Sequence, residues 1–393
     1  MADKVVNFPG PGRHRAPPRL VPARLRDARK AVRLSQPQLA EIVGVTRQSI
    51  SAYEAGHKAP EPATFEKLTA VLGQPASFFT SEDKPVFGAY GPRFFRKTGP
   101  DTDRRNEACT VLGNWFVQVA CYFDAHINYP PVDIPAAQPA NPLGRYTGEE
   151  IEQAAADCRK QWGLGLGPIS NVLALFESRG ITACRYGIDG ERVDAFSFWN
   201  GDRPFIFMAA EKESGARVRY DLAHELGHLI LHRWIEASEI KDPKTLKDIE
   251  READRFASAF LLPEQSFANE VYSPRLDAFL DLKRRWKVSI QAMVYRSREL
   301  ELIDEDQFTN LYKSISFRKW RTREPLDDPA VIAIEQPRVL SKAAHLLLDS
   351  GRRHADEICA ELAMAPQLIE KFCNLPPGSL TAPPAEDVEP RLK

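Results

Sequence analysis

The residues best able to do chemistry lie in AHELGHLILH, residues 223–232. In a helix, positions i and i+4 sit one above the other on a single face. His224 and His228 can therefore offer two imidazole nitrogens to one cation. Glu225 stands beside that face, where its carboxylate can act as a base toward water rather than as a ligand. Gly227, on the far side, leaves room for close packing. The donor set suits zinc, which in catalytic sites takes three protein ligands and keeps one position open. The third ligand is expected from IEREADRFASAFLLP (249–263), a helix with an inward face of Ala253, Phe256, Ala257 and Phe260 that ends at Pro263. Glu252, adjoining that face, is the expected ligand. Glu250 is the alternative, because spacing alone does not fix how the helix is turned. His232 is about 12 Å along the axis from His224 at ~1.5 Å per residue. One ion cannot be shared by all three histidines, so His232 reads as a structural residue at the helix end.

The elements that must hold this site can be read around it. Leu222, Leu226, Leu229 and Ile230 make the motif helix apolar, as a core-mounted site requires. ITACRYG, VDAFSFW and PFIFMAA are short β-branched and aromatic runs that predict three strands. Asn200-Gly201 between the last two is a hairpin signal. Thr147, with Glu150 three residues on, forms a capping box for the helix that follows. A further helix is expected with Pro168 near its first position and Gly180 just past its end. Gly163, Gly165 and Gly167 have the wrong spacing for a dinucleotide fingerprint, and no strand leads into them. KPVFGAYGPRFFRKTGPD (84–101) is a Gly/Pro-punctuated connector, followed by a helix over about 103–127 and a Pro-rich break over 129–142.

A second constellation lies in LSQPQLAEIVGVTRQSISAYEAG, residues 34–56. Ser35 caps a short helix with Leu39, Ala40 and Val43 inward. Gly44 permits a tight turn, Val45 plugs it and Thr46 caps the next helix. With Ile50 and Tyr53 inward, Arg47, Gln48, Ser51 and Ala52 face out near the N-terminal end. That is a helix-turn-helix, whose second helix enters the major groove. Arg can pair with guanine and Gln with adenine. Gln36 and the loop around Gly56, His57 and Lys58 would sit over phosphates and set the register. LKRRWKVSIQAMVYRSRELELI (282–303) has a similar turn at Val288-Ser289, but Trp286, Ile290, Met293 and Val294 read as core. RRHADEICAELAMAPQLIEKF (352–372) is a weaker case of the same kind.

The bulk numbers agree with a soluble multidomain protein. At 393 residues the chain exceeds one ordinary core. Residues 1–60 hold eleven Lys and Arg against four Asp and Glu, a balance of +7, while the whole chain is at −1. A basic head on a neutral body implies a polyanionic partner. The six cysteines are scattered with no Cys-x-x-Cys pair, as in a reducing compartment. No apolar run approaches a membrane span of ~18 residues, and the Pro/Arg-rich N-terminus lacks the apolar core of a signal peptide. The expected setting is the cytoplasm.

Two resemblances follow from these motifs. Residues 22–80 resemble the XRE family of repressor-type DNA-binding domains, with Ala55 standing where that family often has a polar residue on the DNA backbone. RVRYDLAHELGHLILH with EREADRFASAFLLP resembles the ImmA/IrrE family of zinc peptidases, over roughly 146–303. Asp254 stands where that family commonly has Asn. The second resemblance implies zinc on His224, His228 and an acidic residue of the second helix, with Glu225 as general base. It further implies regulated cleavage of a repressor that releases stress or mobile-element genes.

The expected architecture is an α+β multidomain protein with an all-α helix-turn-helix head, an α+β zinc-peptidase middle with a small sheet, and a helical C-terminal region. The expected parts are a basic arm (1–21), the head (22–80), a connector with a helix (81–145), the peptidase domain (146–303) and a helical region with a disordered tail (304–393). The expected partners are a double-stranded DNA operator, bound as a homodimer, and a peptide substrate or repressor protein, which is the chain itself or another. The competing expectation is a ligand-sensing transcription factor without catalysis.

Overall fold

The computed structural model describes residues 19–82, 84–94, 102–140, 145–187, 195–210, 213–236 and 238–381. Most of the expected basic arm (1–18) and of the expected tail (382–393) lie outside the described residues. The disordered tail was expected from 376, but residues 376–381 are ordered. Leu380 is buried, and its N–H donates to Glu370 Oε1 at 2.8 Å.

Five short helices build the head: α1 (Pro22–Ala31), α2 (Gln36–Val43), α3 (Arg47–Glu54), α4 (Pro62–Leu72) and α5 (Ala76–Thr80). The local signals operate as expected. Ser35 Oγ accepts from the Gln38 N–H in a capping box, Gly44 adopts φ +80°, and Thr46 caps α3 by accepting from Ser49. The connector leads to the long α6 (Thr102–Asp124).

The middle region comprises α7 (Gly148–Gln161), α8 (Val172–Ser178), then β1 (Thr182–Tyr186), β2 (Phe196–Asn200) and β3 (Arg203–Ala209). The motif helix α9 (Gly215–Leu231) and its partner α10 (Pro243–Leu261) follow. The Thr147–Glu150 capping box forms at α7. At α8 the expectation needs correcting, since the helix begins beyond Pro168, at Val172. Asn171 supplies its cap by accepting from the Ala174 N–H at 2.7 Å. The sheet order is β1-β3-β2, with β1 parallel to β3 and β2 antiparallel to it; the Asn200-Gly201 hairpin joins β2 to β3.

The C-terminal third is helical: α11 (Glu264–Glu270), α12 (Leu276–Trp286), α13 (Ile290–Glu299), α14 (Glu305–Phe317), α15 (Val339–Asp349), α16 (Ala355–Leu362) and α17 (Pro366–Cys373). The turn at Val288-Ser289 serves packing, since Trp286, Val288, Ile290, Met293 and Val294 are all buried. Glu324 closes the N-terminus of α13 by accepting from the N–H groups of Ile290 and Gln291, and it also receives the buried Lys283 ammonium at 2.9 Å.

Two apolar cores result, and they cut across sequence order. One joins the head, α6, one face of the sheet and helices α15–α17. The other joins α7, α8, the opposite sheet face, α9, α10 and the helices over 264–317. Among the described residues no helix is long and apolar enough to cross a membrane.

Candidate metal centre and nucleic-acid face

His224 and His228 project from successive turns of α9, and both are buried. Their Nε2 atoms lie 3.1 Å apart. Glu250 of α10 completes a triangle, with Oε2 3.5 Å from His224 Nε2 and Oε1 3.4 Å from His228 Nε2. Three donors bound tetrahedrally at 2.0–2.1 Å would stand about 3.3 Å apart, so these spacings fit a zinc-sized cation. Among the described residues, this trio is the one group of three that could hold a metal ion.

The expected third ligand, Glu252, is not in this triangle. Its Oε2 lies 2.9 Å from His232 Nε2, and its Oε1 accepts from the Tyr146 N–H at 3.3 Å. The reason is helical geometry. Two residues along α10 turn the side chain through about 200°, whereas four return it to nearly the same face. Glu250 and Asp254 therefore face His224 together, and Glu252 faces the far end of α9. Burial lifts the Glu252 carboxyl to about 7, against the Tyr146 N–H and Arg145, which pull it down.

Asp254 fixes the first of these imidazoles: its Oδ1 is 2.8 Å from His224 Nδ1. A carboxylate there holds the proton on Nδ1 and leaves Nε2 free to ligate. The residue noted in the sequence only as a departure from a family pattern thus acts on the site through His224. Burial pulls the His224 pKa down, but Asp254 and Glu250 outweigh it and push it up to about 10. The two carboxylates thus favour positive charge at this position. Phe94 of the connector stacks on the His228 ring at 4.5 Å, a contact no local pattern announces.

Glu225 is buried, and its Oε2 has no hydrogen-bond partner. Burial raises its pKa, while His228, His224 and Ser197 oppose the rise. A buried acceptor without a donor is costly, and this one lies beside the triangle of His224, His228 and Glu250. Ser197 Oγ and Trp199 Nε1 of β2 donate to the carbonyls of Glu225 and Leu229, fixing α9 against the sheet. Gly227 lies at the α9–α10 crossing, where an added Cβ would come within 3.1 Å of Ala253 Cα.

On the head, Arg47, Gln48, Ser51 and Lys58 are exposed along α3 and the loop beyond it, as a reading face requires. Gln36 is half-buried, and its Nε2 donates to Glu54 Oε2 at 2.9 Å. Glu54, itself buried, also receives Arg29 through both Nε and Nη2. This network ties α1, α2 and α3 together and sets where Gln36 can reach. Arg29, Lys30, Arg33, Gln36, Arg47 and Arg104 line one depression together with Glu107, which accepts from Lys30 Nζ at 2.9 Å. Arg104 belongs to α6 and was not anticipated, because only the tertiary fold brings α6 beside the head.

Residues 25–79 match the family model described as Helix-turn-helix, and residues 176–298 match the peptidase-family model described as IrrE N-terminal-like domain. No curated protein matches the chain. The chain joins an XRE-type helix-turn-helix DNA-binding domain to an IrrE-like domain of a metallopeptidase family.

Proposed function

We propose that this chain is a cytoplasmic transcriptional regulator whose peptidase-family domain carries zinc and hydrolyses a peptide bond in the chain itself or in a partner repressor when a stress or mobile-element signal permits. The observation that carries this reading is the convergence of His224 Nε2, His228 Nε2 and the Glu250 carboxylate beside the unpartnered Glu225 oxygen. In this reading His224, His228 and Glu250 hold the ion, in place of the expected set with Glu252. Zinc supplies Lewis-acid polarisation of a carbonyl and acidifies water. Glu225 accepts a proton at its carboxylate, and its burial brings its basicity closer to neutrality, where a general base is effective. Asp254 keeps His224 in the required tautomer. Arg47, Gln48 and Ser51 read bases in an operator, Lys58 and Gln36 hold phosphates, and two copies bind a pseudo-palindrome.

A second reading, a zinc-holding sensor without catalysis, is favoured by one observation. The free edge of β2, where an extended peptide could add a strand, carries the chain's own connector. Tyr90 bridges Asn200, Gly91 donates to the Trp199 carbonyl, and Gly201 donates to that of Ala89. The two readings separate on Glu225→Gln and His224→Ala, compared with wild type on the native operator fused to a reporter. Catalysis predicts that Glu225→Gln keeps zinc and DNA binding but loses cleavage by ~10²–10⁴-fold and stays uninduced. Induction of Glu225→Gln to the wild-type level, with His224→Ala inert, would establish the sensor.

A further inference from the structure

We propose that His232 and Glu252 are positioning residues of the metal centre, forming a directional hydrogen-bond relay that dictates which nitrogen of His228 is bare. This rests on the reading that His224, His228 and Glu250 hold zinc.

Three histidines follow one another at single-turn spacing, His224 and His228 in α9 and His232 at its C-cap, and the third is not part of the triangle. His232 Nδ1 instead lies 2.9 Å from His228 Nδ1, and His232 Nε2 lies 2.9 Å from Glu252 Oε2. His232 is completely buried. Two facing imidazole nitrogens form a hydrogen bond only when one of them carries the proton. With its carboxylate ionised, the state in which the test at pH 8 is run, Glu252 accepts only and requires the proton of His232 on Nε2. Neutral His232 then has a bare Nδ1, which must accept. His228 must therefore donate from Nδ1, and its own bare nitrogen is Nε2, the one facing His224 and Glu250. Every donor in this chain points away from the metal, and every lone pair points toward it.

The anchor of the relay is also fixed. Glu252 Oε1 accepts the Tyr146 N–H, and Tyr146 Oη donates to the Leu231 carbonyl at 3.0 Å, holding that loop against the end of α9. Asp254 performs for His224 in one step what His232 and Glu252 perform for His228 in two. The bland alternative is that His232 and Glu252 merely satisfy each other's buried polar atoms. That alternative is indifferent to the direction of the relay, and the proposal is not.

Direction can be tested by substitution in the full-length protein. In Glu252→Gln the single amide oxygen is claimed by the Tyr146 N–H, so the amide NH₂ faces His232 Nε2. The relay then reverses and places a proton on His228 Nε2. His232→Leu removes the acceptor while keeping bulk, and His232→Asn restores an acceptor near the Nδ1 position. Zinc dissociation constants at pH 8, from competition with a chromophoric chelator, should weaken by about 10–100-fold in Glu252→Gln and His232→Leu. They should return to within a few-fold of wild type in His232→Asn. Histidine-selective ¹⁵N spectra of the zinc-loaded wild type should show His228 protonated at Nδ1. The relay is overturned if Glu252→Gln binds zinc like wild type, or if His232→Leu and His232→Asn weaken it alike. Thermal unfolding of the apo forms separates loss of fold from loss of tautomer. If wild type holds no more zinc than His224→Ala, the metal reading itself fails and the relay with it.

Discussion

Replacing Gly227 with Ala tests how finely the metal centre depends on the approach of α9 to α10. An ideal Cβ at Gly227 would lie 3.1 Å from Ala253 Cα, 3.2 Å from the Ala253 carbonyl oxygen and 3.3 Å from Phe256 Cβ. Two of the three neighbours are backbone atoms, which cannot swing aside, so the helices must part by a few tenths of an ångström. Two opposing terms set the stability change. Ala in a helix interior gains roughly 0.8–1 kcal/mol over Gly, while overpacking costs typically about 1–3 kcal/mol. The net expectation is a destabilisation of about 0–2 kcal/mol. The metal should feel the change more than the fold does. Glu250 sits less than one turn before Ala253 on α10, and ligand distances are held to about ±0.2 Å, less than the required displacement. Zinc affinity is therefore expected to fall by about tenfold or more while the apo protein stays folded. Denaturant unfolding of the apo form and chelator competition on the same preparation give both numbers. A Gly227→Ala protein stabilised by ~1 kcal/mol with unchanged zinc affinity would refute the idea that this crossing sets the position of Glu250.

Three further outcomes are expected. Wild type should carry one zinc per chain by elemental analysis and His228→Ala none; retention of the metal by His228→Ala would remove this histidine from the site. Arg47→Ala should cost roughly 1–3 kcal/mol at one base position of the operator, whereas Lys58→Ala should weaken all duplexes alike and lower the salt slope by about 1; anisotropy titrations with operator and scrambled duplexes at several salt concentrations distinguish the two. Lys283→Met leaves the Glu324 and Asp327 carboxylates buried without their cation, at a cost of about 3–5 kcal/mol; a change below 1 kcal/mol in denaturant unfolding would show that the pair is not compensating as the packing implies.

What could be read from the sequence was local, and what escaped it was not. Ser35, Thr46, Thr147 and Gly44 announce helix ends because a cap or a left-handed turn is decided within four residues. His224 and His228 share a face because both lie on one helix. The choice between Glu250 and Glu252 depends instead on how α10 is rotated about its own axis against α9, which no spacing within either helix encodes. Asp254 was legible as a residue but not as a role, since its value lies in reaching His224 thirty residues away in sequence. Phe94 and Arg104 reach their sites through tertiary packing alone. Distance along the axis set His232 apart from the other two histidines, and the same reasoning hid its contact with the neighbouring imidazole.

The sheet explains why a DNA-binding head and a metal helix share one chain without forming two independent bodies. Successive residues of a strand point to opposite faces, and here both faces are buried. Cys184, Phe196, Phe198, Phe205 and Phe207 enter the core that contains the head, while Ala183, Trp199, Ile206 and Met208 enter the core that contains α9. On the head side, Phe78 of α5 meets Trp115 of α6 edge-on at 5.1 Å, and Phe116 meets Phe205 of β3 in the same manner at 5.5 Å. On the other side, Ser197 and Trp199 hold α9 by its carbonyls. Close-packed interiors transmit displacement rather than absorb it. A movement of β2 that follows α9 must therefore also move Phe196 and Phe198 against the residues of α6, including Gly113, where an added Cβ would already touch both rings at 3.5 Å. A connector that pairs with β2 and places Phe94 on the His228 imidazole adds a second tie to α9. The motif helix α9 thus packs directly on one face of the three strands, whereas the reading helix α3 reaches the other face only through α1 and α6.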